Sequence, residues 1–151
     1  TRRDCVCTPP QIQRYLSRIS GPLLDRIDIQ VEVPAVKLED LESTERGESS
    51  AAMARRVAAA RGIQARRYGG ARTNAGLTAR ELETVCALPG DAGALLHRAM
   101  KQLGLSARSR ARLLKLGRTL ADLAGLEGVG AEQIAEAVQY RVLDRRLWQE
   151  G

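Results

Sequence analysis

The chain contains very few aromatic side chains, and this limits how it can build a hydrophobic core. Its 151 residues include no phenylalanine, one tryptophan and three tyrosines, whereas hydrophobic residues as a whole make up 44%. The core must therefore be built from leucine, isoleucine, valine and alanine, a composition that favours helices over a β-sandwich. No apolar run reaches the length of a membrane-spanning helix, so we expect no membrane partner. The sequence predicts a mainly α protein.

Signals that start and stop helices recur through the second half of the chain. The start signals are Ser49 or Ser50, the capping box of Thr78 with Glu81, Pro89–Gly90, Ser106 and Gly130. Glycines follow the periodic segments where helices usually end, at Gly69, Gly104 and Gly125. In the fourth predicted helix Leu113, Leu116, Leu120 and Leu123 are expected to line the buried side. The pattern predicts a bundle of five helices over residues 51–151.

One segment near the start has the periodicity of a β-strand. A short helix opening at Pro9 precedes it, and Ile27, Ile29, Val31 and Val33 then alternate with polar residues up to Pro34. A single strand is not stable alone, so we expect its partner strands upstream of Thr1, in an α/β core of a longer protein. The predicted organisation is therefore the end of that core over residues 1–35, an acidic linker over 36–50, and the helical domain over 51–151.

The charge of the chain favours polyanionic partners such as DNA or nucleotide phosphates. Lys and Arg number 24 against 18 Asp and Glu, which gives a net charge of +6. Between Glu48 and Glu81 there is no acidic residue, and arginines there could follow a DNA backbone: Arg55, Arg56, Arg61, Arg66 and Arg67. These arginines spread around their helix, so a solvated surface with contacts to the acidic linker is an equal or better explanation.

The sequence carries no catalytic set of its own. The phosphate-loop motif GxxxxGK[ST] is missing, so ATP hydrolysis by this chain alone is not expected. His97 is the only histidine, and its place beside Leu95 and Leu96 predicts a partly buried structural role. Three cysteines, an odd count, favour a reduced cytoplasmic setting over a disulfide scaffold.

The segment from Arg14 to Ile29, RYLSRISGPLLDRIDI, closely resembles the magnesium-chelatase-like AAA+ ATPases of bacteria, of the ComM and YifB type. Five further blocks agree in the same order, beginning at Gly47, Asn74, Leu105, Arg118 and Glu136. The resemblance implies that the chain is the C-terminal part of such an ATPase, including its helical lid. It also implies a ring, hexameric in similar proteins, in which ATP and Mg²⁺ are held between neighbouring subunits by the full-length protein.

The resemblance assigns roles to individual residues. Arg26 matches the arginine finger, which acts on the ATP of the neighbouring subunit, and Arg108 matches the second sensor, a lid arginine that contacts the γ-phosphate. Cys5 and Cys7 match half of a four-cysteine pattern, so zinc is an expectation only for the longer protein. The residues alone favour a simple surface pair of Arg26 with Asp25 or Asp28, and Arg108 could be an ordinary surface charge.

Three hypotheses follow for the function. The first is a nucleotide-sensing and ring-coupling module of an ATPase that remodels DNA, with its own upstream core and neighbouring subunits as partners. The second is an autonomous helix-turn-helix-like DNA-binding module that uses the helix after Ser106 to contact DNA. The third is a docking domain without a role at the nucleotide.

Overall fold

The computed structural model describes residues 6–24, 26–36, 42 and 47–141, and these residues are mainly helical. The elements in chain order are α1 (Pro9–Leu16), α2 (Gly21–Leu24), α3 (Ser50–Tyr68), a 3₁₀ turn (Asn74–Gly76), α4 (Ala79–Val85), α5 (Gly90–Leu103), α6 (Ala107–Leu123) and α7 (Ala131–Gln139). This confirms the predicted fold class, a mainly α chain with a helical bundle.

The helices of the bundle begin at the residues that the capping signals indicate. The Ser49 side chain accepts a hydrogen bond from the Ala52 amide at 3.3 Å, and Ser106 accepts one from the Ser109 amide at 3.1 Å. Thr78 and Glu81 form the predicted capping box ahead of α4. Helix ends agree as well: Gly69 and Gly104 have φ of 71° and 62°, a left-handed conformation that residues with a Cβ rarely adopt.

Helix α6 lies at the centre of the bundle. It packs against α3, α4, α7 and the 3₁₀ turn, while α5 packs mainly against α7. The core formed between these elements is built from small aliphatic side chains, as the composition predicts. Its most buried members include Leu82, Ala92, Leu96, Leu113, Leu114, Ala121, Val129, Ile134 and Ala137.

The buried side of α6 includes more than the predicted leucine stripe. Leu113 is buried and Leu116 and Leu120 pack against the core, but Leu123, at the end of that stripe, is 42% exposed. Arg118 and Asp122, which the stripe did not include, are 1% and 2% exposed. The prediction was therefore wrong for Leu123, and it missed these two charged residues, which form an ion pair of 3.0 Å inside the bundle.

Gly117 lets α6 pack closely against α7 and the residues just before it. A Cβ added at this glycine would lie 3.1 Å from the terminal methyl of Ile134 and 3.1 Å from a methyl of Val129. Both of these neighbours are almost completely buried. A glycine in the middle of a helix lowers the helix propensity. At Gly117 this cost is accompanied by tight packing against the next helix.

The predicted strand is absent from the part of the chain that the structure describes. Residues 29–36 form neither a helix nor a β-ladder, and the apolar side chains of the alternating pattern are exposed. The reason is that the described residues offer no second strand, so the alternation has no sheet to join. Most of the predicted acidic linker lies outside the described residues.

Candidate functional site

Helix α6 holds the segment that contains Arg26. The Nη1 of Arg112 donates a hydrogen bond of 2.7 Å to the main-chain carbonyl of Arg26, and the same nitrogen pairs with the carboxylate of Asp28. The exposed fraction is 23% for the Arg112 side chain and 66% for that of Asp28. The backbone around Arg26 is thus attached directly to the central helix of the bundle.

The end of α7 holds the same segment from a second direction. The guanidinium of Arg141, which is 1% exposed, donates to the carbonyl of Ile27. The amide of Gln30 donates to the carbonyl of Tyr140 at 3.0 Å. We call residues 26–30 the finger segment. Its backbone is fixed by polar contacts from two helices.

A groove of 420 Å³ lies where the finger segment meets α6. Its lining includes Asp28, Ile29, Arg108, Arg112, Lys115 and Thr119. The three basic residues fall at intervals of four and three positions, so they share one side of the helix. The Lys115 ammonium donates to the carbonyl of Ala75 at 2.8 Å, which leaves Arg108 as the basic residue at the rim of the groove without an internal partner among the described residues.

Arg26 and Arg108 are exposed, and the described residues supply no hydrogen bond or ion pair to either guanidinium. Arg108 lies in the first turn of α6, where main-chain amides and the helix dipole favour anions. It also lies one helical turn before Arg112, about 6 Å along the axis. The two residues that the resemblance assigns to the nucleotide are therefore both exposed, and the structure links both to the same stretch of α6, Arg108 directly and Arg26 through Arg112.

Sequence reasoning missed a buried polar cluster at the other end of α6. The carboxylate of Asp122 accepts hydrogen bonds from Arg67, from Arg118 and, at 2.8 Å, from the Asn74 amide. Arg118 in turn donates to the carbonyls of Glu127 and Leu126 at 2.6 Å. The spacing of Arg118 and Asp122, four residues apart on one helix, was the available signal.

The charges in this cluster are mutually stabilised. Burial alone raises the pKa of the Asp122 carboxyl, but hydrogen bonds from Arg67 and Asn74 and the charge of Arg118 outweigh it and hold that pKa below its ordinary value. The hydrogen bond to Asp122 likewise raises the pKa of Arg67. These groups remain charged over the physiological range, as expected for a structural ion cluster.

The five arginines predicted to contact DNA are placed differently from one another. Arg67 turns inward to Asp122, with only 22% of its side chain exposed, so its guanidinium is not available to a phosphate. Arg55, Arg56, Arg61 and Arg66 are exposed. Arg56 pairs with Glu48 of the acidic linker at 2.9 Å, a contact of the kind expected from the alternative interpretation. Arg55 and Arg66, eleven residues apart, point in nearly the same direction.

Three further sequence expectations concern His97 and the cysteines. His97 is exposed, so the prediction of a partly buried histidine was wrong; it lines a 710 Å³ groove between α4, α5 and α6 together with the buried Cys86. Cys7 is exposed, and Cys5 lies outside the described residues. Among the residues that are described, no group of three or more His, Cys, Asp or Glu side chains is arranged to hold a metal ion.

The fold and the site define a small helical lid-type domain with an arginine-bearing segment docked on its central helix. Comparison with known families agrees with this class. Residues 47–141 match the family model described as magnesium chelatase, subunit ChlI C-terminal, and residues 1–41 match the one described as magnesium chelatase, subunit ChlI. The chain belongs to the magnesium chelatase ChlI-like family, which confirms the resemblance seen in the sequence.

Individual relatives support the same assignment. The chain is 43% identical over 141 residues to the competence protein ComM of Haemophilus influenzae and 42% identical over 142 residues to YifB of Salmonella typhimurium, and each alignment covers 93% of this chain. A protein of Mycobacterium tuberculosis is 35% identical over 141 residues. The chain spans only 27% to 28% of the length of these relatives. None of the described helices is long and apolar enough to cross a membrane.

Proposed function

We propose that this chain is the C-terminal nucleotide-sensing and ring-coupling part of a magnesium-chelatase-like AAA+ ATPase. In this proposal Arg26 is the arginine finger that reaches the ATP of a neighbouring subunit, and Arg108 is the second sensor at the γ-phosphate. The single observation that carries the proposal is that the basic residues of this site differ in whether their side chains have internal partners. The guanidinium of Arg112 and the ammonium of Lys115 are used in internal contacts, whereas those of Arg26 and Arg108 are exposed and have no partner among the described residues.

The chemistry of ATP hydrolysis explains why a free guanidinium is needed at each position. Phosphoryl transfer spreads negative charge over the γ-phosphate oxygens, and an arginine supplied at that point raises the rate by about 10³ to 10⁵ in well-studied NTPases. Arginine suits this role because its planar donors match the geometry of phosphate oxygens. Arg26 and Arg108 would each bring such donors to the nucleotide.

Arg108 also fits the environment that a phosphate requires. Its place in the first turn of α6, beside Arg112 and Lys115, gives the groove a positive potential. This chain lacks the phosphate-loop motif, so ATP and Mg²⁺ would be held chiefly by other parts of the full-length protein. Hydrolysis takes place at the γ-phosphate of the nucleotide. The contribution of this chain would be to orient the γ-phosphate oxygens and to neutralise their charge.

We propose DNA as the polymer that the full-length ring remodels. The net charge of +6 and the exposed arginines of α3 support a polyanion, and one relative carries the name competence protein. The packing of α6 argues against the autonomous helix-turn-helix alternative. A recognition helix needs a face open along several turns, whereas α6 is covered by α3, α4, α7 and the 3₁₀ turn.

The test is ATP turnover by the full-length protein with single substitutions. We expect Arg26→Ala to lower kcat by about 10³ and Arg108→Ala to lower it by at least about 10², because each removes a charge that the transition state uses. Arg110→Ala is the matched control: it removes another exposed arginine of α6 and should leave kcat unchanged. Full turnover in both Arg26→Ala and Arg108→Ala would show that this chain is a docking domain without a role at the nucleotide.

A further inference from the structure

We propose that Arg112 is a positioning residue that couples the second sensor to the arginine finger. This inference rests on the proposed function of Arg26 and Arg108. Arg112 itself is expected to touch no nucleotide. Its role is to fix the main chain that carries Arg26 to the same helix, and nearly the same turn, that carries Arg108.

The contact geometry is specific to the finger segment. A single nitrogen of Arg112 donates both to the Arg26 carbonyl, at 2.7 Å, and to the Asp28 carboxylate. The side chain therefore holds the chain on either side of Ile27. The Arg26 guanidinium starts from this fixed backbone, so its position depends on where Arg112 lies even though Arg112 does not contact it.

Because Arg112 lies on α6 close to Arg108, its contact with the finger segment can couple the movements of Arg108 and Arg26. Arg108 and Arg112 lie four residues apart on one side of the helix, about 6 Å along its axis. A helix moves as a rigid element over this distance, so a rotation or shift of α6 that brings Arg108 to or from a phosphate moves Arg112 by a similar amount. Arg112 then pulls on the Arg26 carbonyl, and the state of one nucleotide site is conveyed to the finger that serves another.

The finger segment is also attached to the end of α7, so a movement of α6 would not simply carry the whole segment along. Arg141 holds the Ile27 carbonyl, and Tyr140 holds the Gln30 amide, from the end of α7. Helix α7 packs on α6 but carries neither the sensor nor the finger. A displacement of α6 relative to α7 would therefore reorient the Arg26 backbone between two attachments instead of carrying the segment along as a whole.

The test is steady-state ATP hydrolysis by the full-length protein carrying Arg112→Ala, Asp28→Asn or the control Arg110→Ala. We expect Arg112→Ala to lower kcat by about 10- to 100-fold, since a displacement of about 1 Å at a reacting group costs up to about 10² in rate. The KM for ATP should stay within about twofold, because ground-state binding is not removed. Asp28→Asn should lower kcat less, because the bond to the Arg26 carbonyl remains, and Arg110→Ala should change neither value.

Combination with Arg26→Ala separates positioning from a direct or purely structural role. If Arg112 acts through Arg26, adding Arg112→Ala to Arg26→Ala should produce no further loss of kcat. A further 10- to 100-fold loss in the double variant would overturn the inference. So would a kcat of Arg112→Ala equal to that of Arg110→Ala while Arg26→Ala is inactive.

The outcomes also separate this inference from the proposed function. Full activity of Arg26→Ala would contradict the finger assignment itself, whatever Arg112 does. Should Arg112→Ala fail to fold, Arg112→Met takes its place, because it keeps a long unbranched side chain on α6 but has no donor for the Arg26 carbonyl. A kcat of Arg112→Met equal to that of Arg110→Ala, with Arg26→Ala inactive, would then contradict the coupling.

Discussion

Asp122 is the residue on which the polar interior of the bundle depends. Its side chain is fully buried and accepts hydrogen bonds from two arginines and one asparagine that come from different parts of the chain. Removing one member of a buried ion pair leaves an uncompensated charge, which is usually more costly than removing both. The carboxylate therefore fixes how α3, the 3₁₀ turn and α6 are arranged around Arg118.

We expect Asp122→Asn to lower the free energy of unfolding by about 3 kcal/mol. This is the lower end of the cost of breaking a buried ion pair, since Arg67 is partly open to water while Arg118 is not. Urea denaturation of the chain measures the change. Glu83→Gln, on the exposed side of α4, removes the same charge and should change the free energy by less than about 0.5 kcal/mol. Equal midpoints for the two variants would show that the cluster contributes no stability.

The low pKa of the Glu81 carboxyl should make part of the chain's stability sensitive to acid. Hydrogen bonds from Arg72, and then from Thr78, lower the pKa of the Glu81 carboxyl to about 2. Because this folded-state pKa lies below the ordinary value, the stabilisation is complete above about pH 4.5 and is lost as the pH falls towards 2. Urea midpoints of the wild type and Glu81→Gln, measured from pH 7 to pH 2, should therefore converge at low pH. A constant difference over that range would contradict the prediction.

At the scale of the helices, two glycines in similar mid-helix positions should respond in opposite ways. A Cβ at Gly62 in α3 would meet only the flexible end of Arg66 at 3.6 Å, whereas one at Gly117 would press on two buried methyl groups at 3.1 Å. Gly62→Ala should raise the free energy of unfolding by about 0.5–1 kcal/mol through reduced freedom of the unfolded chain. Gly117→Ala should produce no gain, because crowding offsets the same advantage.

Thermal and urea unfolding of the two alanine variants provide the measurement, and each variant is the control for the other. An equal gain at both positions would show that α6 and α7 separate easily enough to admit a methyl group. A lower free energy of unfolding for Gly62→Ala would contradict the prediction for α3.

The limits of most bundle helices were accessible from the sequence, because capping depends on a few local residues such as Ser106, Thr78 and Gly104. The buried side of α6 was accessible only in part. Periodicity treats Arg118 and Asp122 as solvent-facing, and only the distant partners Arg67 and Asn74 make their burial favourable. The candidate site, too, was predictable only in part from the sequence. A resemblance in sequence indicated Arg26 and Arg108, but the contacts of Arg112 required the fold.

On the scale of the whole molecule, the distribution of charge predicts weak DNA binding by this chain alone. Of the five α3 arginines predicted to contact DNA, Arg67 is internal and Arg56 is paired with Glu48. Arg55 and Arg66 share one direction about 16 Å apart, and Arg61 is exposed on a different side of the helix. Two phosphate contacts would give a slope of about −2 in log K against log salt. Tight binding in the longer protein would then depend on many subunits acting together.

Fluorescence anisotropy of labelled duplex and single-stranded DNA across a salt series measures this binding. We expect a Kd weaker than about 1 µM at physiological salt, and further weakening in the Arg55→Ala/Arg66→Ala double variant. The control, Arg80→Ala/Arg98→Ala, removes the same charge from exposed positions of α4 and α5. Tight duplex binding at physiological salt would favour the autonomous DNA-binding module and make Arg108 a DNA contact.

The contacts of the finger segment join residues that are far apart in sequence, and this has a consequence for the order in which the molecule folds. Arg112 and Arg26 are separated by 86 positions, and Arg141 and Ile27 by 114, whereas the bundle forms from neighbouring helices. The segment buries no large apolar side chain, because Ile27 and Ile29 are both exposed. It should therefore dock last and detach first, at a free energy below that of global unfolding.

Hydrogen exchange measures this order directly. The Gln30 amide, bonded to Tyr140, should exchange much faster than the Leu113 amide inside α6. Equal protection would show that the segment opens only with the whole bundle. Faster exchange would mean that residues 26–30 open as a separate unit while the helices stay folded, so that in the proposed ring a bound nucleotide would act on this unit alone.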